Sequence, residues 1–165
     1  MTPFELSFML VVGLEGKYSD DPNDPGGETK YGISKRYHPD LDIKNLTLDQ
    51  ARDVYEREYW RPTSCDSLPM PLAAFVFDMA VNQGVGTAAK TVQSAVGSTP
   101  DGKIGALTMA RVHAAEPIEL TSLFMADRSI RYFSDSGFDR YGRGWLKRCF
   151  KLAYELGQWE PQVSS

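Results

Sequence analysis

The stretch Glu15–Ile33, EGKYSDDPNDPGGETKYGI, restricts the fold and the function more than any other part of the sequence. An apolar run from Phe8 to Leu14 has helical spacing and stops at Glu15, and Gly16 stands where a glycine commonly ends a helix. The carbonyl end of a helix and an apolar flank both disfavour negative charge, so we expect a raised pKa for the Glu15 carboxyl. Such a carboxyl can act as a general acid near neutral pH. The alternative is an exposed Glu at a helix end, which is common on protein surfaces.

Acidic residues, prolines and glycines fill the loop that follows. Asp20, Asp21 and Asp24 alternate with prolines, which stiffen the backbone, and the paired glycines after them allow positive φ or the close approach of a ligand. Clustered aspartates also suggest a calcium loop. The EF-hand pattern fails, however, because Pro25 and Gly32 would stand at positions that must supply ligands. We therefore predict neither a metal nor a cofactor.

The same stretch resembles the active-site segment of phage-type lysozymes, which place a Glu at a helix end, an Asp after eight intervening residues and a Thr a few residues later. Glu15, Asp24 and Thr29 stand in that order, although the gap from the Asp to the Thr is one residue shorter here. The fuller string, EG-x-Y followed by DP-x-DPGG-x-T-x-YGIS, is similar to glycoside hydrolase family 108, a muramidase family of the lysozyme superfamily.

The resemblance implies roles for individual residues. Glu15 would protonate the departing glycosidic oxygen. Asp24 would stabilise the oxocarbenium-like transition state or orient a water molecule, and Thr29 would hold that water. The other candidates in this segment, which would contact the substrate or compete with Asp24, are Asp20, Asp21 and Tyr31.

Length and composition agree with a small enzyme. A chain of 165 residues with 42% hydrophobic residues can form one domain or two packed lobes around a core. The formal net charge of −4 argues against a general nucleic-acid-binding protein. Cys65 and Cys149 are expected to be reduced, buried thiols. The N-terminal apolar run is interrupted by Glu5 and has no basic region before it, so we predict neither a signal peptide nor a membrane span.

The remaining sequence predicts a mainly α, lysozyme-like fold with at most a small β-hairpin around Tyr18–Ile33, because sustained alternation of polar and apolar residues is absent. A capping-box pattern begins at Thr47, and prolines precede an apolar helix at Leu72. The predicted helices run from 47 to about 59, then over 72–81, 88–96, 107–114, 117–133 and 145–156, with a turn between Gly97 and Gly102.

The helix predicted from Leu72 carries two polar residues four positions apart, Asp78 and Asn82, which therefore share one face. A buried helix rarely carries an unpartnered Asp, so these side chains either line a cleft or satisfy nearby backbone groups. The segment resembles the FD-x-AVN-x-G motif of family 108, and the resemblance implies that it helps to form the wall of the saccharide cleft.

A second motif, Asp101-Gly102-Lys103-Ile104-Gly105, resembles the turn that opens the repeat-like half of small peptidoglycan-binding domains. Taken alone it is an ordinary turn before a helix. Its position after the candidate catalytic half predicts two regions, residues 1–88 of catalytic type and residues 89–165 of binding type, packed as one globule.

Between Ala126 and Lys151 there are seven basic and three acidic residues, and the five aromatic residues from Tyr132 to Trp145 are interleaved with them. A basic aromatic surface suits an anionic, sugar-rich polymer, and Arg140 and Arg143 are the residues that we expect to bind it. Such a surface also suits single-stranded nucleic acid, and the remaining alternative is a solvated helix face whose aromatic rings lie in the core.

Together these features predict a monomeric endolysin that cleaves the β-1,4 bond between N-acetylmuramic acid and N-acetylglucosamine. Its expected partner is the peptidoglycan glycan strand, without nucleic acid or stable membrane insertion. It would be made in the cytoplasm of a bacterial host and reach the wall through a holin-like pore. The alternatives are a lytic transglycosylase that uses the same Glu15, a non-catalytic wall-binding module, and a secretion-accessory or virion structural protein.

Overall fold

The computed structural model describes residues 1–12, 18–20 and 26–158. It confirms the predicted mainly α fold with a small hairpin. The α-helices are α1 (Pro3–Val11), α2 (Leu48–Tyr55), α3 (Leu72–Gln83), α4 (Val85–Ala95), α5 (Ala106–Ala114), α6 (Pro117–Phe133) and α7 (Phe138–Gly157). A π-helical turn, Glu56–Trp60, continues α2, and a short 3₁₀ helix spans Cys65–Ser67. The strands β1 (Thr29–Lys30) and β2 (Ile33–Ser34) pair antiparallel.

Side-chain caps fix the start of several helices. Thr47 and Gln50 form the predicted capping box, in which each side chain bonds the backbone N–H of the other residue. Thr2 and Glu5 form a second box at the start of α1. These bonds satisfy N–H groups that have no partner inside the helix.

The first helix ends earlier than the apolar run suggests. Its last residue is Val11, and the N–H of the cap residue Val12 donates to the carbonyl of Phe8. The predicted end of this helix at Glu15 is therefore wrong, since α1 ends at Val11, while Glu15 and Gly16 themselves lie outside the described residues.

The hairpin lies against α2 through its turn. Tyr31 and Gly32 both have positive φ, 51° and 74°. The hydroxyl of Tyr55 donates to the carbonyl of Tyr31 at 2.9 Å. A β-carbon on Gly32 would lie 2.5 Å from the same hydroxyl, so the close approach requires glycine. A bridge between Ser19 and Thr29 extends the hairpin towards the N-terminal side of the loop.

Helix α3 is the centre of the core, and its residues 72–80 are all buried. It packs against α1, α4 and α6. Tilted and edge-on aromatic contacts join α1 and α2 to it, through rings that include Phe4, Phe8, Tyr55 and Phe77. The continuous apolar character of this segment is explained by these neighbours, which cover it on all sides.

Helix α7 begins seven residues before the predicted start at Trp145. Gly142 and Gly144 precede the predicted start, and both are helical residues. A β-carbon on Gly142 would overlap the ring of Phe138, so the missing side chain allows that ring to pack on the next turn. The glycine thus permits a close contact inside the helix instead of ending it.

Cys65 and Cys149 are free and buried, as predicted. Loss of solvation raises the pKa of the Cys65 thiol to about 12, although a hydrogen bond with Thr63 acts in the opposite direction. Within the described ranges, none of the helices is both long enough and apolar enough to cross a membrane.

Candidate functional site

The described structure contains part of the predicted catalytic segment. Glu15, Asp21 and Asp24 lie outside the described residues. Asp20, Thr29 and Tyr31 are described, and the hairpin holds the last two. The positions of the acid and of its partner therefore stay predictions, and the hairpin shows how the rest of the segment is held.

Thr29 is fixed by both strands of the loop. Its backbone exchanges two hydrogen bonds with Ser19, at 2.9 and 2.8 Å, and its hydroxyl donates to the carbonyl of Gly27 at 3.1 Å. The hydroxyl oxygen retains acceptor capacity, so it can still receive a hydrogen bond from a water molecule. Asp20, which follows Ser19, is exposed.

Tyr18 and Glu28 brace the same part of the loop. The Tyr18 hydroxyl donates to the Glu28 carboxylate at 2.7 Å, and this bond is the main reason that the pKa of Tyr18 is raised to about 12. The neutral phenol is the donor, so the contact persists at neutral pH. The bond joins the two sides of the loop diagonally across the bridge between Ser19 and Thr29, since Tyr18 precedes Ser19 and Glu28 precedes Thr29.

Asp78 is the centre of a buried ionic cluster. Its side chain is 1% exposed, and its Oδ2 lies 2.5 Å from Nη2 of Arg128, whose side chain is 0% exposed. Its Oδ1 accepts a hydrogen bond at 2.7 Å from Nε of Arg148. The carboxylate of Asp78 therefore bonds two cations from α6 and α7, and we call these three residues the Asp78 cluster.

The two arginines of the Asp78 cluster are affected by burial, by nearby charge and by further hydrogen bonds. Burial, the largest single effect, would lower the pKa of Arg128, but the negative charge of Asp78 and the smaller effects of Cys149 and Tyr132 together raise it. Nη2 of Arg128 also donates to the hydroxyl of Tyr132 at 2.9 Å. Arg148 also contacts α1, because its Nη2 donates to the carbonyl of Val11 at 3.4 Å. The cluster thus joins α3, α6 and α7 to the end of α1.

Asn82 is bonded to the helix that carries it. Its Nδ2 donates to the carbonyl of Asp78 at 2.7 Å, while the residue itself is exposed. Asn82 thus satisfies a backbone carbonyl, whereas the Asp78 carboxylate bonds two guanidinium groups instead of backbone groups. Asn82 retains a face towards solvent, next to Gln83 and Trp145.

A groove of about 560 Å³ lies between α1 and α7, directly beside the Asp78 cluster. We call it the α1–α7 groove. Apolar side chains from both helices and a row of basic residues on α7 form its walls. The lining residues are Met9, Leu10, Val11, Asp78, Gly144, Lys147, Arg148, Lys151, Leu152 and Glu155. The groove is not evident from the sequence, because its walls on α1 and α7 are far apart in the chain.

A second pocket, of about 270 Å³, lies where α3, α6 and α7 meet, and one of its residues, Tyr132, bonds Arg128 of the Asp78 cluster. Trp145 stacks on Tyr132 there, with ring centroids 5.1 Å apart. Amide, guanidinium and carboxylate groups surround the two rings. The lining residues are Asn82, Gln83, Arg131, Tyr132, Asp135 and Trp145.

The predicted basic aromatic surface is divided by the fold. Arg128 and Arg148 turn inward to Asp78, and Tyr132 is buried. Arg140 and Arg143 remain exposed, and Arg140 lies over the ring of Tyr141 at 5.2 Å from its centroid. The basic residues of the stretch that stay exposed are Arg131, Arg140, Arg143, Lys147 and Lys151.

The motif Asp101–Gly105 is tied to α4 by one buried side chain. Gln93 donates to the Asp101 carboxylate at 2.7 Å and to the carbonyl of Lys103 at 3.0 Å, and it accepts from the N–H of Gly102 at 2.8 Å. The hydrogen bond from Gln93 is the main reason that the pKa of Asp101 is lowered. These bonds explain the conformation of the turn, while its predicted relation to peptidoglycan-binding domains stays a prediction.

Comparison with known proteins identifies the family of the N-terminal half of the chain. Residues 8–84 match the family described as Glycosyl hydrolase 108. Among solved structures, the chain is similar to the one titled "Structure of Brucella abortus SagA", with a TM-score of 0.82 and 28% sequence identity. That match covers 97% of this chain and 98% of the other chain. No curated protein matches the sequence. The family predicted from the motifs is confirmed, and residues 8–84 are a glycosyl hydrolase 108 region.

Proposed function

We propose that this glycosyl hydrolase cleaves the β-1,4 bond between N-acetylmuramic acid and N-acetylglucosamine in peptidoglycan, with Glu15 as the general acid. The observation that carries the proposal is the family match over residues 8–84, which includes the whole of Glu15–Ile33. The similarity to SagA over nearly the full length of both chains supports the same assignment for the fold that holds this segment.

The proposed reaction transfers a proton from the Glu15 carboxyl to the glycosidic oxygen as the bond from that oxygen to the anomeric carbon breaks. A water molecule adds to the anomeric carbon and gives its proton to a second carboxylate, for which Asp24 is the candidate. Thr29 would hold the water through its free acceptor capacity. With direct attack by water, the two carboxyl groups should lie roughly 6.5–9.5 Å apart and the product should be inverted.

The pocket that contains Trp145 supports a saccharide ligand. Sugar rings pack their C–H faces on aromatic rings, and their hydroxyl groups bond amides and charged side chains. Trp145 offers such a ring, and Asn82, Gln83 and Arg131 offer the polar groups. The resemblance of the FD-x-AVN-x-G segment to the saccharide-cleft motif therefore agrees with where Asn82 lies.

The decisive experiment is Glu15→Gln, which keeps the shape of the side chain but cannot supply a proton. We expect the rate of peptidoglycan clearing to fall at least ~10²-fold, the contribution usual for general acid catalysis. Glu119→Gln, the same change on an exposed turn of α6, is the matched control and should clear as fast as the wild type. Clearing by Glu15→Gln within threefold of the wild type would exclude Glu15 from the mechanism.

Product analysis separates the proposal from its closest alternative. A hydrolase leaves a reducing sugar at the cut end, whereas a lytic transglycosylase leaves a 1,6-anhydro end that is lighter by one water. Mass spectrometry of a wild-type digest should show the hydrated product. Anhydro products that also disappear in Glu15→Gln would assign the same residue to transglycosylation.

A further inference from the structure

We infer that the α1–α7 groove binds the peptide stem of peptidoglycan, an anionic short peptide, while the saccharide occupies a separate place. The inference rests on the proposed function and names a second part of the same substrate. It is carried by the charge of the groove, by its apolar walls, and by its contrast with the pocket at Trp145.

The groove is a positive region on an acidic protein. Lys147 and Lys151 lie one turn apart on α7, and neither forms an ion pair with any residue in the described ranges. Arg148 adds a third cation, and its charge is shared with Asp78, which Arg128 also neutralises. Among the described residues that line the groove, Glu155 is the only carboxylate outside the Asp78 cluster. Counted with Arg128, the groove carries four cations and two anions, whereas the whole chain has a net charge of −4.

The end of α1 would ordinarily disfavour an anion here, because the last carbonyls of a helix carry partial negative charge. Arg148 offsets this by donating to the carbonyl of Val11, the last residue of α1. The side chain of Arg148 is 30% exposed, so it can face a ligand while it bonds Asp78 and Val11. The groove thus presents cations where the helix end alone would present acceptors.

The walls of the groove suit a peptide better than a sugar. Its apolar groups are aliphatic, from Met9, Leu10, Val11 and Leu152, and no aromatic ring is among its lining residues in the described part of the chain. Aliphatic walls match the methyl groups of alanine residues, and the lysines match free carboxylates. The pocket at Trp145 has the opposite character, with two rings and two amides. The two cavities are linked through the Asp78 cluster, since Asp78 and Arg148 line the groove and Tyr132, which bonds Arg128, lines the pocket at Trp145.

The test uses the full chain and a defined probe, the free stem tetrapeptide L-Ala-γ-D-Glu-meso-diaminopimelate-D-Ala. NMR titration of Lys147→Glu/Lys151→Glu should show a Kd at least tenfold above the wild-type value. Lys44→Glu/Lys90→Glu reverses two exposed lysines elsewhere and should bind within twofold of the wild type. If charge reversal prevents folding, as judged by circular dichroism, Lys147→Ala/Lys151→Ala replaces it, with an expected loss of at least threefold.

Turnover gives a second measurement. The ratio of kcat/KM on stem-bearing peptidoglycan to kcat/KM on stem-free glycan should fall at least tenfold in the groove variant and stay constant in the control. An equal loss on both substrates would mean that the groove holds the glycan, and no binding of the tetrapeptide to the wild type would overturn the inference. A wild type that cleaves neither substrate would refute the proposed function alone, since the titration still tests the groove.

Discussion

Asp78 and Arg128 are 50 positions apart in the sequence, yet their side chains form an ion pair of 2.5 Å in which both are buried. A buried carboxylate and guanidinium each lose hydration, so each depends on the other for compensation. Arg148 bonds the second oxygen of the same carboxylate. The pair therefore couples the central helix α3 to the two longest helices, α6 and α7.

Asp78→Asn should lower the free energy of unfolding by about 3–5 kcal/mol, because it leaves Arg128 buried without a counterion. Urea denaturation measures this change. Asp49→Asn is the control, since Asp49 is exposed and its Oδ1 lies 3.8 Å from Nη1 of Arg52, and it should cost less than about 1 kcal/mol. The double variant Asp78→Leu/Arg128→Met should recover much of the loss. Equal losses for Asp78→Asn and Asp49→Asn would show that the buried pair carries no special weight.

Gly142→Ala and Gly144→Ala should have opposite effects on stability. A β-carbon at Gly142 would overlap the Phe138 ring, so the ring must shift and stability should fall by about 1–3 kcal/mol. A β-carbon at Gly144 meets nothing within 4 Å, so the better helix propensity of alanine should raise stability by about 0.5–1 kcal/mol. Thermal unfolding of the two variants checks the signs, and stabilisation by both would contradict the packing described for Phe138.

The free energy of unfolding should fall with rising pH above about 9 because of Cys65. Burial raises the pKa of this thiol from 9.0 to about 12, so between these values the unfolded chain has lost a proton that the folded chain keeps. The contribution of the Cys65 thiol to the free energy of unfolding is fully present below pH 9, and it declines by about 1.4 kcal/mol per pH unit above that value. Urea titrations at about pH 8 and about pH 10.5 should therefore show a steeper decline for the wild type than for Cys65→Ala. Parallel declines would mean that the thiol does not contribute.

The loop aspartates can be ranked by turnover. Asp24→Ala should reduce peptidoglycan clearing more than Asp20→Ala or Asp21→Ala if the nine-residue step from Glu15 reflects an acid and its partner. Thr29→Ala should have an intermediate effect, since another water can replace part of what its hydroxyl does. Clearing assays at equal enzyme concentration give the order. The reverse order would assign the partner role to Asp20 or Asp21.

Arg140 and Arg143 should bind cell walls through exposed charge. Arg140→Glu/Arg143→Glu should weaken co-sedimentation with purified walls at low salt, and added salt should remove the wild-type advantage, because such contacts are screened within about 10 Å at 0.1 M. Cleavage of short soluble oligomers should change little. Wall binding that responds to neither the substitutions nor salt would identify this surface as an ordinary solvated face.

Local signals in the sequence were enough to predict most helices. Thr47 with Gln50 marked the start of α2, and Pro117 marked the start of α6, because capping and a fixed φ act over a few residues. The start of α7 was missed because the role of Gly142 depends on the ring of Phe138 one turn away.

In the candidate site, too, the features carried by neighbouring residues could be predicted from the sequence, and those formed by distant residues could not. An Asp on the apolar helix α3 signalled that a buried partner exists, but the choice of Arg128 and Arg148 among seven basic residues depends on tertiary packing. The motif around Glu15 predicted the family, because its residues are contiguous in the sequence. The α1–α7 groove could not be predicted, because its two walls are more than a hundred residues apart and meet only in the fold.

The Asp78 cluster has a consequence for how this chain can exchange segments with its relatives. A recombination crossover near residue 88 would keep Asp78 and import α6 and α7 from another parent. Unless that parent supplies guanidinium groups at both required places, the hybrid inherits a buried carboxylate without compensation, and selection would remove it. The carboxylate and its two arginines should therefore be inherited together, even though Asp78 lies inside the matched region 8–84 and both arginines lie after it.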